Sequence, residues 1–430
     1  MKKEIVFYYD IICPYAYLAS KLIENVAKRT DATLVWKPVL LGAIYKHTKP
    51  DNIDIPENKL IKTYSSQKLK VMRRDLAMQF SRHSVPISTN QVPDVKTLNA
   101  LRLIAFTPDE SMDLRSRLSH KLFDAIWQHK KDVSDLNILQ NIADSFNLPI
   151  KVTDFDDKTH PARQKLLDNT EEAISRGVFG VPSMWVNNRL FFGGDRLFLV
   201  EREFGLKSEP HRVLHKPVCD VTKKAKLTFY LDFGSPWTFL GFKQLNSLIS
   251  SVAPVQVDIE YVPVLIGVIF NSIGTPMLPM LVSESKRNYF PKDFNDWLNY
   301  HEIKGFRFSS HFPLKTLTAC RLAIAHNKPD LINAIFDAVW LNDKDISNDE
   351  VLREILSSNG FNSDQLMREA NTEEVKLQLK KNTQRALDEG VCGLPTYQVN
   401  GGPVVFGQDR SNVVADMLLG WNHNELFSKL

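Results

Sequence analysis

The sequence FYYDIICPYAYL at residues 7–18 returns as FYLDFGSPWTFL at residues 229–240, and this repetition decides how the chain is organised. Both copies run from aromatic residues through an aspartate to a polar residue that stands directly before proline. A second pair of motifs follows in the same order, GVFGVPS at 177–183 and GVCGLPT at 390–396. Because both ends of the repeat are kept in order, the pattern predicts a duplicated domain.

The length and composition fit two globular domains. The chain has 430 residues, of which 43% are hydrophobic and 24% are charged, and this balance is ordinary for folded domains. The formal net charge is only +4 and both signs are interleaved, so no nucleic-acid partner is predicted. No apolar run is long enough to span a bilayer, and the N-terminus lacks the pattern of a secretory signal. The default prediction is a cytoplasmic protein without a membrane partner, and an organelle address stays open as an alternative.

Each half opens with a β-α-β pattern, the unit that builds a parallel strand pair. Runs rich in β-branched and aromatic residues predict first strands at 4–9 and 226–231, and second strands at 33–41 and 255–264. A predicted hairpin closes each half after the proline motif. Because 207–225 is polar and rich in proline, it is interpreted as a linker. The predicted domains are residues 1–206 and 226–430.

The middle of each half has apolar residues at three- and four-residue spacing, which predicts a helical insertion. The predicted helices are 58–81, 95–105, 114–129 and 135–146 in the first half, and 283–301, 314–325, 329–341 and 348–358 in the second. A last helix is predicted before each proline motif, at 169–176 and 382–389. The stretch 67–82 carries five basic residues and is interpreted as a solvated face that can attract anionic ligands.

Cys13 and Ser235 are the candidate nucleophiles, because each stands directly before the proline that begins a helix. Proline is favoured at the first helical position, so both side chains are expected over the free N–H groups of the helix start. This position lowers the pKa of a thiol, and it allows a serine hydroxyl to donate a hydrogen bond to a ligand thiolate. Two alternatives stay open. A serine before proline is typical of a simple helix cap, and a lone cysteine at this position is as readily an inert buried thiol as a reactive group.

No second cysteine accompanies either candidate. A Cys-x-x-Cys motif needs cysteine at the positions held by Ala16 and Thr238, which argues against a two-cysteine disulfide oxidoreductase. The histidines show no spacing typical of a metal site. No disulfide framework is predicted, because the four cysteines have no paired spacing: Cys13, Cys219, Cys320 and Cys392.

Two further motifs near the end of each half are candidate binding elements. The Val181-Pro182 and Leu394-Pro395 bonds are candidates for cis peptides that turn the preceding backbone groups toward the nucleophile, where an extended peptide can pair. Asp195-Arg196 and Asp409-Arg410 each follow a glycine-containing corner and precede a closing helix. Each aspartate is expected either to cap that helix or to bind a ligand ammonium group.

These motifs together resemble the DsbA-like branch of the thioredoxin fold, and within it the kappa-class glutathione transferases and 2-hydroxychromene-2-carboxylate isomerases. The resemblance covers almost all of both halves. It implies an α/β fold of two thioredoxin-like domains in tandem, each with a helical insertion, and glutathione as the cofactor. Members of this family are usually homodimers of one such domain, so the resemblance also implies an internal pseudo-dimer.

The resemblance implies roles for particular residues. Ser235 matches the family's catalytic serine, which hydrogen-bonds the glutathione thiolate, and Cys13 replaces that serine in the first half. Backbone groups beside the two prolines pair with the cysteinyl part of glutathione, and the terminal acids hold its γ-glutamyl amine. Lys68 and Lys286 are candidates for binding the glycyl carboxylate. The implied cofactor-binding residues are Val181, Pro182, Asp195, Arg196, Leu394, Pro395, Asp409, Arg410, Lys68 and Lys286.

Three functions remain open at this point. The first is a glutathione-dependent isomerase or transferase that acts on an electrophilic aromatic or unsaturated small molecule through Ser235. The second is a monothiol oxidoreductase centred on Cys13. The third is a non-catalytic thioredoxin-fold protein that binds peptides along the proline edge. The fold itself does not choose among them, because thioredoxin-like folds support many chemistries.

Overall fold

The structure, a computed structural model, describes residues 3–48, 65–88, 95–215, 224–275 and 283–421. The strands are β1 (Glu4–Tyr9), β2 (Thr33–Pro38), β3 (Ser183–Val186), β4 (Arg189–Phe192), β5 (Lys224–Leu231), β6 (Gln256–Pro263), β7 (Thr396–Val399) and β8 (Val404–Phe406). They form two four-stranded sheets with the orders β2-β1-β3-β4 and β6-β5-β7-β8.

The first sheet joins a parallel strand pair to an antiparallel hairpin. Strand β1 pairs with β2 in parallel and with β3 in antiparallel orientation, so Phe7 lies opposite Trp36 on one side and Met184 on the other. All residues of β1 after Glu4 are buried. Both faces of the strand are therefore covered, which explains why its sequence is a continuous apolar run rather than an alternating one.

The second sheet repeats this arrangement. Strand β5 pairs with β6 in parallel and with β7 in antiparallel orientation, and β7 continues into the hairpin strand β8. A β-α-β unit and a closing hairpin on either side of a helical insertion form a thioredoxin-like domain. The predicted fold class, two such domains in tandem, is confirmed. The domain boundaries at 206 and 226 stay a prediction.

The helices account for most of each insertion. Those of the first half are α1 (Pro14–Thr30), α2 (Leu41–His47), α3 (Ser66–Arg82), α4 (Leu98–Phe106), α5 (Met112–Trp127), α6 (Leu136–Ser145), α7 (Pro161–Ser175) and α8 (Leu197–Glu203). Those of the second half are α9 (Pro236–Lys243), α10 (Leu245–Ser251), α11 (Ile266–Ile273), α12 (Glu284–Tyr300), α13 (Leu317–Ala325), α14 (Pro329–Trp340), α15 (Asp349–Ser358), α16 (Ser363–Ala370), α17 (Glu373–Asp388) and α18 (Ser411–Leu418).

Helix boundaries depart from the sequence predictions where local signals compete. Helices α2 and α11 were not predicted, because their apolar residues directly follow a strand and continue its pattern. Helices α7 and α17 begin eight and nine residues earlier than the predicted starts at 169 and 382, at Pro161 and Glu373. The predicted helix 58–81 is observed from Ser66, and its part at 58–64 lies outside the described residues. None of the described helices is long and apolar enough to cross a membrane.

Helix α3 packs against the second half of the chain and is not the solvated face that its basic residues predict. Val71 belongs to a hydrophobic cluster formed otherwise by second-half residues. The Gln67 side chain donates to the Val391 carbonyl at 2.8 Å. Arg82 and Asp416 form an ion pair at 2.6 Å in which neither side chain is exposed. The basic residues of this helix therefore belong partly to a contact between the halves.

Candidate active site

Cys13 and Ser235 occupy the same place in the two halves, at the start of the helix that follows the first strand. Each is the N-cap residue of its helix, with Pro14 or Pro236 as the first helical residue, as the sequence predicts. The Ser235 Oγ accepts a hydrogen bond from the Thr238 N–H at 3.2 Å. Cys13 makes no capping hydrogen bond, because sulfur is a weak acceptor.

The Cys13 thiol is not the acidic group that its position predicts. Burial raises the pKa of the Cys13 thiol to about 12, and the N–H groups of Ala16 and Tyr15 at the helix start offset only part of this effect. The thiol donates to the Val181 carbonyl oxygen at 3.2 Å. The expectation of a lowered thiol pKa is wrong, because removing the thiolate from water costs more than the field of the helix start returns.

The two proline turns bring a backbone carbonyl close to each candidate nucleophile. The Val181-Pro182 and Leu394-Pro395 peptides are both cis, as predicted. The Leu394 carbonyl oxygen lies 3.5 Å from the Ser235 Oγ, so this contact is longer than the matching contact of Cys13. Both motifs that the sequence repeats therefore meet at one place in each half.

A glycine two residues before each proline allows an aromatic ring to pack onto the turn. A Cβ on Gly180 would lie 2.9 Å from a ring carbon of Phe192, and a Cβ on Gly393 would lie 2.5 Å from a ring carbon of Phe406. A side chain at either position would displace the ring. The glycine in each GVxGxP motif thus has a packing reason.

The Asp-Arg pairs contact each other across the two halves. Arg196 donates to Asp409 at 2.8 Å, and Arg410 donates to Asp195 at 2.7 Å. Helices α8 and α18 begin without a side-chain cap from either aspartate. The capping alternative is therefore wrong, and the two corners that the sequence treats separately form one cluster.

A glycine two residues earlier shapes the position of each of these aspartates. Gly193 and Gly407 have φ values of +97° and +108°. A Cβ at these positions would lie 2.5 and 2.6 Å from the Oδ1 atoms of Asp195 and Asp409. Glycine satisfies both the left-handed conformation and the close approach of the carboxylate.

Two further acids, which the sequence analysis did not single out, complete the cluster. Asp293 on α12 receives two hydrogen bonds from Arg196, at 2.8 and 3.0 Å. Asp75 on α3 receives two from Arg410, at 2.7 and 3.0 Å. Each arginine is therefore held by a bidentate pair with an acid of the opposite half, the strongest geometry for such contacts. Both acids stand in equivalent helices, and this shared position was the available signal.

The two central aspartates of the cluster, Asp195 and Asp409, have pKa values that are shifted in opposite directions. Although burial opposes ionisation, Arg196 and Arg410 hold the pKa of Asp195 well below its usual range. Burial raises the pKa of Asp409, and the neighbouring Asp195 charge adds to the effect. The two carboxyl groups lie side by side, so ionisation of one disfavours ionisation of the other.

Lys68 and Lys286 each lie against the half to which they do not belong. The Lys286 Nζ lies 6.0 Å from the centre of the Phe179 ring, beside the proline turn of the first half. Lys68 lies near Cys392, beside the turn of the second half, and burial lowers the pKa of Lys68. Burial and the nearby Lys68 charge also lower the pKa of Lys286. The structure therefore pairs Lys68 with the Ser235 half and Lys286 with the Cys13 half.

A tyrosine of α12 hydrogen-bonds β4, the edge strand of the first half. The Tyr289 hydroxyl accepts a hydrogen bond from the Phe192 N–H at 3.0 Å and donates to Asp293 at 3.1 Å. The position equivalent to Tyr289 on α3 is Val71, three residues after the equivalent lysine, and it has no hydroxyl. Phe406, which corresponds to Phe192, is exposed.

A family comparison agrees with this geometry. A DsbA-like thioredoxin domain model matches residues 4–205 and again residues 226–419. The chain belongs to the DsbA-like thioredoxin domain family. The two matches cover the two sheets and both candidate nucleophiles, so each half is one member domain.

Individual relatives correspond to about half of the chain. A 2-hydroxychromene-2-carboxylate isomerase of Sphingobium xenophagum is 28% identical over 208 residues, which are 47% of this chain and 97% of that protein. Glutathione S-transferase kappa 1 of Homo sapiens is 22% identical over 216 residues, 48% of this chain and 93% of that protein. These similarities agree with the family resemblance that the motifs indicate.

Two of the solved structures that match the chain each correspond to about half of it. A 2-hydroxychromene-2-carboxylate isomerase structure matches 47% of this chain and 94% of its own, with 20% identity and a TM-score of 0.39. The DsbA structure of Pseudomonas aeruginosa matches 50% of this chain and 93% of its own, with 19% identity and a TM-score of 0.31.

Proposed function

We propose that the chain is a glutathione-dependent isomerase or transferase that acts on an electrophilic aromatic or unsaturated small molecule, with Ser235 as the residue that holds the thiolate. Relatives named as 2-hydroxychromene-2-carboxylate isomerases and kappa glutathione transferases support the reaction class. The observation that carries the proposal is the hydrogen-bonding state of the Ser235 hydroxyl.

The Ser235 hydroxyl is oriented by the Thr238 N–H and is only weakly engaged as a donor. Its oxygen accepts the Thr238 N–H at 3.2 Å, while the Leu394 carbonyl lies at 3.5 Å, which is long for an O–H donor. The proton is therefore available to a ligand atom at the start of α9, where the free N–H groups favour an anion. Ser235 donates a hydrogen bond in this arrangement and does not need to ionise.

The groups around Ser235 match the chemical parts of glutathione. The Leu394 backbone lies beside the thiol position, and Asp409 presents a carboxylate with 21% of its side chain exposed. A ligand ammonium group next to Asp409 would oppose the effect of burial on that carboxyl, and Lys68 would supply a cation for a ligand carboxylate. When bound, glutathione supplies a thiolate nucleophile for addition to an electrophilic carbon.

The residues of the chain have separate tasks under this proposal. Ser235 and the helix start stabilise the ionised thiol, so that the nucleophile is present at neutral pH. Asp409 and the Leu394 backbone orient the tripeptide, which brings the sulfur and the electrophile together in a productive geometry.

Calorimetric titration with reduced glutathione tests the proposal. We expect saturable binding to the intact chain, with weaker binding to Ser235→Ala and little change in Cys13→Ala. The stoichiometry reports whether one half or both halves bind. Absence of binding at millimolar glutathione would contradict the proposal and would favour the peptide-binding alternative.

The oxidoreductase alternative has less support. A monothiol mechanism needs a thiolate at Cys13 near neutral pH, whereas burial raises the pKa of that thiol to about 12. The thiol also donates to the Val181 carbonyl in its resting state. We therefore assign the thiolate chemistry to the Ser235 half.

A further inference from the structure

A buried aspartate lies behind each candidate nucleophile and has no part in the proposed chemistry. Asp10 precedes Cys13 by three residues, and Asp232 precedes Ser235 by three. Their exposed fractions are 3% and 1%, so both carboxyl groups lie in the protein interior. An acid in such a place is costly unless its oxygen atoms accept several hydrogen bonds.

Asp232 connects three separate segments around Ser235. One oxygen accepts the Gly234 N–H at 3.0 Å, within the loop that carries the serine. The other accepts the Ile266 N–H at 2.9 Å, at the first residue of α11. The Thr316 hydroxyl, at the N-cap of α13, also hydrogen-bonds this carboxyl group. The loop, the helix that follows β6 and the helix α13 of the insertion thus share one acceptor.

A tryptophan of the insertion holds the same loop from another side. The Trp340 indole N–H, at the end of α14, donates to the Phe233 carbonyl at 3.0 Å. The Trp340 side chain is fully buried. The Ser235 N–H in turn donates to the Asp232 carbonyl at 3.3 Å. Every residue from Asp232 to Ser235 is therefore fixed by at least one hydrogen bond.

The first half contains the same device around Cys13. Asp10 accepts the Ile12 N–H at 3.1 Å, the Leu41 N–H at 3.1 Å and the Thr97 hydroxyl at 3.2 Å. The corresponding indole contact joins Trp127 to the Ile11 carbonyl at 2.9 Å. The same hydrogen bonds thus surround two different nucleophiles, and the first half serves as a matched control for the second.

We propose that Asp232 and Trp340 are positioning residues for Ser235: they fix the loop so that the serine hydroxyl faces the ligand sulfur at the start of α9. Both side chains hydrogen-bond the backbone of the loop and not the serine hydroxyl, so both act through that backbone. The inference rests on the proposed function of Ser235. A small displacement of the hydroxyl lowers the rate strongly, because the hydrogen bond to the sulfur depends on distance and angle.

Four single variants separate positioning from general stability. Trp340→Phe keeps an aromatic ring but removes the indole donor, and Asp232→Asn keeps the shape but replaces an acceptor with a donor. Trp127→Phe and Asp10→Asn make the same changes in the first half. Each variant is compared with wild type for turnover, for glutathione affinity, and for the pKa of the bound glutathione thiol followed by thiolate absorbance.

We expect Trp340→Phe and Asp232→Asn to lower turnover about 10- to 100-fold, in the range typical of misplaced catalytic groups. The bound thiol should titrate closer to its solution pKa, and glutathione affinity should fall by no more than it does in Ser235→Ala. The first-half variants should leave all three quantities near wild type. Unchanged turnover and thiol pKa in the second-half variants, or equal losses in the first-half variants, would overturn the inference.

Hydrogen exchange keeps the inference testable apart from glutathione. We expect the amides of 233–235 to exchange faster in Trp340→Phe than in wild type, with unfolding midpoints that match those of Trp127→Phe. Unchanged exchange would overturn the positioning role, whether or not glutathione binds. Failure of glutathione to bind the wild-type chain would contradict only the proposed function. If Asp232→Asn does not fold, Trp340→Phe alone carries the test.

Discussion

The Cys13 half and the Ser235 half have the same scaffold but opposite relations between nucleophile and environment. In both, the residue before proline caps a helix and faces the carbonyl before a cis-proline. Cys13 must ionise to react, and burial raises the pKa of its thiol to about 12. Ser235 needs only to donate a hydrogen bond, which a hydroxyl does without ionising. A position where the protein's own thiol resists ionisation therefore still suits a serine that acts as a hydrogen-bond donor.

The largest expected effect concerns the reactivity of Cys13. A thiol with a pKa of about 12 has roughly 3000-fold less thiolate at neutral pH than a free cysteine with its reference pKa of about 8.5. We expect alkylation of Cys13 by iodoacetamide to be slowed by about this factor at pH 7 and to rise tenfold per pH unit up to pH about 10. Peptide mass spectrometry of native and urea-unfolded chains measures it. A plateau below pH 8 would remove the difference between the halves.

The next largest effect is on turnover, which should depend on Ser235 and not on Cys13. We expect Ser235→Ala to lower turnover about 100-fold, because one hydrogen bond to the developing charge is lost. Cys13→Ala should leave turnover within about twofold, and this matched change in the other half is the control. Steady-state kinetics with glutathione and an activated aromatic electrophile measure both. Equal losses would show that the halves act together.

A smaller effect is expected in the acid cluster that joins the halves. We expect Asp409→Asn to weaken glutathione binding about tenfold, the change that the loss of roughly 1.4 kcal/mol gives, because the ammonium loses a charged partner. Asp195→Asn should weaken binding less, because Ser235 lies in the other half. Calorimetry of both variants checks the order. The reverse order would assign the productive site to the Cys13 half.

The smallest expected effect concerns the hydrogen bond between Tyr289 and the edge strand β4 of the first half. Tyr289→Phe removes the acceptor for the Phe192 N–H, and we expect a loss of about 1 kcal/mol in the free energy of unfolding. Val71→Ile, at the equivalent position of α3, is the control for changed packing without a lost hydrogen bond. Urea denaturation measures both. Equal free energies of unfolding for Tyr289→Phe and Val71→Ile would mean that this hydrogen bond does not stabilise the first half.

The sequence predicted the parts of each half that depend on local pattern. Strand β1 has the predicted bounds, and Pro14 and Pro236 begin helices as expected. The two proline turns lie beside the nucleophiles because the β-α-β unit and the hairpin share one sheet. These features follow from residue spacing, which a single sequence records.

The sequence held one signal for the partners of the acid cluster, their shared position in equivalent helices, but it did not show what these acids contact. Asp75 and Asp293 look like ordinary charged residues of helix surfaces, and only the packing of the halves brings them to Arg410 and Arg196. The pKa of Cys13 was missed for a similar reason. The sequence records the helix start that lowers it, whereas the burial that raises it depends on the whole fold.

The most direct test of the account is the ionisation of the glutathione thiol when it is bound to the chain. Thiolate absorbance is followed against pH with wild type, Ser235→Ala and Cys13→Ala. We predict that the bound thiol ionises at least one pH unit below its reference value of about 8.5 in wild type and in Cys13→Ala, and close to that value in Ser235→Ala. Identical titration of wild type and Ser235→Ala would contradict the role of Ser235.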